Sequence, residues 1–232
     1  MADIAALSAL DWWTEAGVDT LVDDSPRDWL AAAPSPMPSR SEAVPASPAA
    51  AEVMPATLDA FRAFLRTDAA IPGPADARID AMGDPAAGIT MVVDMPEAGD
   101  RASGSLLSGE VGALFDRMLG AIKLDRTQVY LIPFSPARPT TGRLGEAHLK
   151  QLKPFLLHHI VLAKPRKLLL LGDAPAQALL GQPAAKMRDA VHQTSVGTLS
   201  IPTVATIHPR LVAMKREWRP LIWADLQRFE KL

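Results

Sequence analysis

The sequence predicts an α/β protein, a three-layer αβα fold around a four-stranded, mostly parallel central sheet. Three observations carry this. Four short, continuous apolar runs, at 89–93, 129–132, 167–172 and 203–207, have the length of strands and lack the alternation of a half-exposed sheet. Stretches with apolar residues at helical spacing separate them, and that order calls for parallel pairing with helices on both faces. At 232 residues and 48% hydrophobic, the chain can bury one sizeable core.

Residues 4–18 read as a short amphipathic helix, with Leu7, Leu10, Trp13 and Val18 on one face and Gly17 near its end as a stop. Trp12 and Trp13 are adjacent and cannot both face one core, so one is left to meet another surface. Residues 26–55 follow, with seven prolines among many alanines and serines. Such a stretch buries too little apolar surface to order itself and reads as a disordered linker; a tightly packed coil is the alternative. The expected organisation is an N-terminal helix over 1–24, a linker over 25–56 and an α/β domain over 57–232.

The domain opens with a helix over 57–67. Thr57 is its N-cap, and Leu58, Phe61, Ala63, Phe64 and Leu65 supply the buried side. Ile71-Pro-Gly-Pro74 breaks it. The first strand, 89–93, leads to a helix over 108–122 carrying Val111, Leu114, Phe115, Met118, Leu119 and Ile122 at helical spacing. The second strand, 129–132, leads to a helix over 145–163. The third, 167–172, is apolar enough to be central, and a short helix over 174–180 follows. The fourth strand, 203–207, and a helix over 219–229 close the chain, with Pro220 tolerated in the first turn.

Composition excludes several chemistries. There is no cysteine, so disulfides, thiolate catalysis, cysteinyl zinc and cysteine-held iron–sulfur clusters are ruled out. The five histidines show no HxxxH or HExxH spacing, and no metal site is expected. Net charge is −2, so any nucleic-acid contact must rest on a local basic edge. No apolar run reaches the ~18 residues of a membrane span. The N-terminus is acidic where a secretory signal is basic, and a cytoplasmic protein is expected.

Three strand ends carry polar, proline-containing loops: Asp94-Met95-Pro96, Pro133-Phe-Ser-Pro136 and His208-Pro209. In an open parallel sheet ligands sit at the carboxyl ends of strands, so these loops should converge on one edge. The prolines equally serve as strand and helix breakers.

Together these loops resemble the family-4 uracil-DNA glycosylases over roughly residues 88–228. The family's first motif, G-E-A-P-G-x-x-E-D-x-x-G-x-P-F-V-G-x-A-G, aligns without a gap from Val93 to Gly112, matching at Pro96, Gly104, Gly109 and Gly112. The second, V-Y-I-T-N-V-V-[KP]-x-R-P-P-G-N-R, is similar to V-Y-L-I-P-F-S-P-A-R-P-T-T-G-R at 129–143. A third, P-K-L-L-x-x-L-G-x-x-A-A-x-x-L-L-G, looks like residues 165–181. The last, T-x-H-P-x-x-L-L-R, looks like Thr206-Ile-His208-Pro209-Arg210-Leu211, with a family-like W-x-D-L at 223–226.

The resemblance implies a DNA repair protein that flips a damaged base out of single- or double-stranded DNA and hydrolyses its N-glycosidic bond. It implies His208 as the donor that stabilises charge on the leaving base and Asp94 as the carboxylate that orients water, with Asp100 at the motif's later glutamate. Both carboxylates could instead cap turns or helices. Met95, Pro96, Leu107 and Pro133 fall at base-pocket positions. Arg138 and Arg143 fall in a DNA-facing loop, and Arg210 and Lys215 either meet phosphates or form a solvated basic face.

The chain departs from the family where the base is read. Pro133 replaces the asparagine and has neither a side-chain amide nor an N–H. Leu107 replaces the stacking phenylalanine. Glu97 replaces a glycine and would set negative charge near an incoming phosphate. Ala137 stands where a cluster cysteine often lies. The expectation is therefore a clusterless, monomeric relative without a cofactor, whose uracil excision is weakened, lost or redirected to another base. A catalytically silent DNA- or protein-binding relative is the alternative, with the N-terminal tryptophan helix meeting a protein partner.

Overall fold

A computed structural model describes residues 54–232; the expected N-terminal helix, and the linker up to residue 53, lie outside the described residues. Two expected features of the domain's start are present. Thr57 caps α1 (Leu58–Thr67) by accepting from the Ala60 amide at 3.4 Å, and Arg78 pins the following Pro-Gly-Pro segment by donating to the carbonyls of Asp68, Ile71 and Gly73.

The sheet has six strands rather than four. In chain order they are β1 (Met82–Gly83), β2 (Ile89–Val93), β3 (Tyr130–Pro133), β4 (Lys167–Leu171), β5 (His192–Val196) and β6 (Leu199–Thr206). Their spatial order is β1-β3-β2-β4-β6-β5. The four expected strands form the parallel centre, and the two added ones pair antiparallel at the edges. β1 exists because Gly83 lies against the backbone of Val129, where a Cβ would collide with the Val129 carbonyl. β5 alternates buried Thr194 and Val196 with exposed Gln193 and Ser195, joined to β6 by a turn at Gly197 (φ +58°). β6 starts earlier than the apolar run suggests and includes Pro202, opposite Gln193.

The helices are α2 (Asp100–Ser103), α3 (Gly109–Ala121), α4 (Glu146–Ala163), α5 (Asp173–Leu180), α6 (Ala184–Met187), α7 (Pro209–Met214) and α8 (Arg219–Glu230). Strand alternation divides the core in two. Met91, Val93, Leu169, Leu171 and Val204 face α3, α7 and α8 through Phe115, Leu119, Val212, Ile222 and Phe229. Val92, Ile132, Leu168, Leu170 and Ala205 face α4 and α5 through Leu152, Leu156, Ile160 and Ala176. Both faces of the central strands are therefore covered, which is why those strands are continuously apolar. This is the three-layer αβα arrangement the sequence predicts.

One buried polar pair lies in the second layer. Tyr130 Oη and His159 Nε2 are 2.9 Å apart, and Phe61 packs edge-on against the imidazole. Burial pushes His159 down to about 4 from its ordinary 6.5. Between those two values the unfolded chain binds a proton that the folded chain refuses, so this group's contribution weakens stability as pH falls through the window and levels off below it. Wild-type protein should lose about 3 kcal/mol through this group between pH 7 and pH 4. In urea titrations at both pH values, His159→Gln should shrink the difference by about that amount; an unchanged difference would contradict the assignment.

Candidate functional site

Strand register sets the site. Val93 pairs with Pro133 on one side and Leu171 on the other, and Leu171 pairs with Thr206, so all four parallel strands end in one row. Backbone bonds carry the pairing past the row: Phe134 N donates to Val93 O at 2.7 Å, Ser135 N to Asp94 O at 3.0 Å, and Gly172 N to Thr206 O at 3.0 Å. The sequence distances between Asp94, Gly172 and His208 thereby collapse onto one edge.

Asp94 is half-buried just beyond β2. Its Oδ1 accepts from the Ala174 amide at 3.2 Å, in the first turn of α5. Room for the carboxylate comes from Gly172, which adopts φ +109° and whose missing Cβ would strike both Asp94 oxygens. Burial pushes the Asp94 carboxyl up to about 7, with Arg210 and the Ala174 amide pulling the other way and Asp173 and Glu97 adding to the rise. Near neutral pH this group can take or release a proton. Gly172→Ala should displace the carboxylate; a carboxyl that still titrates near 7 by NMR in that variant would contradict this role for the glycine.

His208 is 1% exposed and caps α7. Its Nδ1 accepts from the Arg210 amide at 3.1 Å, which places the ring proton on Nε2. Nε2 is buried and has no hydrogen-bond partner among the described residues. Burial, with Arg210 and Arg138 nearby, drives the imidazole down to about 3. The ring is therefore neutral at physiological pH and presents one uncommitted N–H donor. An unpaired buried donor is costly in a folded protein unless an incoming group completes it.

Two of the four expected basic residues, Arg138 and Arg210, are committed to the loops around this edge. Arg210 Nη1 lies 2.8 Å from Glu97 Oε1, and the same carboxylate oxygen is 3.8 Å from His208 Nδ1. The negative charge expected near an incoming phosphate at Glu97 is thus neutralised by an ion pair joining the β2 and β6 loops. Arg138 Nη1 donates to Pro96 O at 3.1 Å, tying the β3 loop to the β2 loop. Arg143 is exposed, and so is Lys215, whose Nζ lies 5.4 Å from the centre of the Trp218 ring.

Two cavities open here, with Asp94 and Asp173 lining both. One, about 340 Å³, also includes His208, Gly172, Arg188 and Trp218. The other, about 420 Å³, includes Met95, Arg143, Gln177 and Arg210. Of the residues expected at the base pocket, Met95 lines the second cavity, while Pro96, Leu107 and Pro133 line neither. Pro96 is buried and Pro133 half-buried at the end of β3.

Leu107 belongs to the core cluster on the α3 face, held at φ +51°. Arg126 binds the Leu106 and Leu107 carbonyls at 2.9 and 2.7 Å, and Gly112 leaves no Cβ to strike Leu107 O. Asp100 is fully buried and accepts from the amides of Glu97, Leu107 and Ser108 and from the Ser108 hydroxyl. These four bonds tie the 97–108 loop together, which is the turn-capping reading of this carboxylate.

Sequence reasoning missed Gly172, Asp173, Arg188 and Trp218. The L-G-D turn at 171–173 ends a strand and was open to the same strand-end argument as Asp94. Trp218 comes from a short turn after α7 and carries no such signal.

A cysteine-ligated cluster does not fit this chain. It has no thiolate to offer, and Ala137, at the position of a cluster cysteine in the resemblance, is buried. Among the described residues no group of three or more His, Asp or Glu side chains is placed to hold a metal ion.

Comparisons with known proteins point to one family. The model of the uracil DNA glycosylase superfamily matches residues 81–227. The chain is also similar to a Type-4 uracil-DNA glycosylase of Pyrobaculum aerophilum, 26% identical over 154 residues, covering 63% of this chain and 79% of that protein.

Proposed function

Because the chain belongs to the uracil-DNA glycosylase superfamily, we propose that its carboxyl-edge site hydrolyses the N-glycosidic bond of a flipped-out uracil or related base in DNA, with weakened uracil activity. The observation that carries this reading is the buried, neutral His208 with its uncommitted Nε2–H. As the bond to the base breaks, its electron pair moves onto the ring and a carbonyl oxygen gains negative charge. A neutral N–H donor stabilises that charge by hydrogen bonding while keeping its proton. Asp94 orients water toward the sugar carbon and takes the proton released as the new C–O bond forms.

DNA is the substrate, with Arg143, which lines the larger cavity, and Lys215 exposed to meet phosphate; Arg210 and Arg138 reach phosphate only by leaving their partners within the loops. The same reading takes the protein as a cytoplasmic monomer without a cofactor, its tryptophan-bearing N-terminal segment free to meet a protein partner. Among the described residues no helix is long and apolar enough to cross a membrane. A second reading, a catalytically silent DNA binder, is favoured by Leu107 lying in the core and by Pro133 at the asparagine position.

Incubation with single- and double-stranded oligonucleotides containing one uracil, followed by alkali, separates the two. Strand scission at the uracil supports excision. No scission together with salt-sensitive retention on DNA supports the silent binder. Alanine at Arg143 is expected to weaken DNA retention similarly across sequences, and unchanged retention would remove that residue from the interface.

A further inference from the structure

The smaller cavity has a hydrogen-bonding pattern of its own, and it does not suit uracil. Its two carboxylates are each half spent inside the protein. Asp94 Oδ1 accepts from the Ala174 amide, and Asp173 Oδ1 accepts from the Ala184 amide at 2.9 Å. Among the described residues neither Oδ2 has a partner. His208 adds one N–H donor. Trp218, half-buried, adds an indole face and already has a cation, Lys215 Nζ, over its ring. Arg188 also lines the cavity, but its guanidinium is engaged with Asp225, Asp189 and the Leu221 carbonyl, so the lining offers two free carboxylate oxygens, one uncommitted donor and an aromatic surface.

Uracil presents a carbonyl, an N–H and a second carbonyl along its pairing edge. The free Asp173 oxygen can accept from the N–H, but it then lies beside a carbonyl and the two repel. An asparagine amide would satisfy both groups; Pro133 satisfies neither. A guanine-type edge presents one carbonyl followed by a ring N–H and an amino group. The carbonyl can accept from His208, and the two adjacent donors can share the free Asp173 oxygen. A positive charge on the ring would further suit the paired carboxylates and the indole. It would also let the base depart neutral, so that the site needs little charge stabilisation on the leaving group.

Resting on the glycosylase reading above, we propose that this cavity takes a positively charged, guanine-type base, such as an N7-alkylated guanine in DNA, in preference to uracil. Water adds to the sugar carbon, the N-glycosidic electron pair returns to the ring and cancels its positive charge, and the proton from water passes to Asp94. The products are a neutral alkylated guanine and an abasic site. Trp218 stacks the ring, and Asp173 accepts from its amino edge.

The test uses full-length protein with matched double-stranded oligonucleotides carrying one N7-methylguanine or one uracil. Base release is read by chromatography, and the spontaneous rate without protein is subtracted. Release of N7-methylguanine is expected at least about tenfold faster than uracil, the worth of one charge-assisted hydrogen bond. Asp173→Asn keeps the oxygen that accepts from Ala184 and should lower N7-methylguanine release about tenfold more than uracil release. Trp218→Leu should shift the ratio in the same direction. Uracil released faster, or both substrates slowed equally by Asp173→Asn, overturns this inference and leaves the glycosylase reading standing. Release of neither base overturns both.

Discussion

Replacing His208 with alanine should lower uracil release by about 10²–10³-fold at saturating DNA, the usual cost of losing one preorganised donor at a developing negative charge. The imidazole is neutral, fully enclosed and has an uncommitted Nε2–H, so the substitution removes a donor with no nearby replacement. Alanine also removes the cap on α7, which should cost about 1 kcal/mol of stability. His208→Asn separates the two effects. Asparagine caps a helix as well as histidine does but is too short to put its amide where Nε2 lies. The asparagine protein should therefore regain most of the stability and little of the rate. Recovery of the rate along with the stability would reduce His208 to a structural cap. A silent protein would show no release to lose, and the comparison would then end at the wild type.

The second large effect is on stability. Asp225 in α8 is fully buried and gathers three elements. It accepts from the Thr206 hydroxyl at 2.8 Å at the end of β6, from Arg188 at 3.1 Å and from Arg228 at 3.0 Å. Burial raises its carboxyl, while these partners hold it down. Asp225→Ala would leave two guanidinium groups without their shared counter-charge and the buried Thr206 hydroxyl without its acceptor. A loss of about 3–5 kcal/mol is expected in urea unfolding, because breaking a buried charge network leaves the surviving charge uncompensated. Asp225→Asn keeps an acceptor for Thr206 and should lose less. A loss below about 1 kcal/mol for alanine would mean that solvent already screens the cluster. Thr206 is two residues before His208, so the network also steadies the strand end from which the histidine projects.

These particular residues explain how far the sequence could be read. The four parallel strands were legible because both of their faces are buried, which forces runs such as Leu168–Leu171 with no polar break. β5 was not legible: His192-Gln-Thr-Ser-Val196 is too polar to look like a strand, and it is held by its turn at Gly197 and its pairing with β6. β1 is two residues long and depends on a close backbone approach at Gly83. In the site, Asp94 and His208 could be found because a strand delivers each of them to the carboxyl edge. Asp173 follows a strand end and was open to the same argument, whereas Trp218 reaches the same cavity through the packing of a short turn, which no sequence period records. Leu107 was placed by alignment at the base pocket, but the Asp100 and Arg126 bonds fold its loop so that the side chain enters the core.

The same bonds bear on the DNA-facing residues. Glu97 and Arg210 join the β2 and β6 loops, and Arg138 ties the β3 loop to Pro96. A sequence shows three charges near an expected interface. The structure shows charges that hold three loops together around a buried histidine.

The pH dependence of base release tests the central claim most directly. Asp94 must be ionised to take a proton from water, and its carboxyl lies at about 7; His208 is neutral at all pH values well above about 3. With DNA far below saturation, the rate should rise tenfold per pH unit below about 7, flatten above it, and show no break from His208 near 6.5. In Asp94→Asn the residual rate should be lower and flat through the same range. A rate that falls as pH rises through 7, or a rising limb that survives in Asp94→Asn, would contradict the roles assigned to both residues.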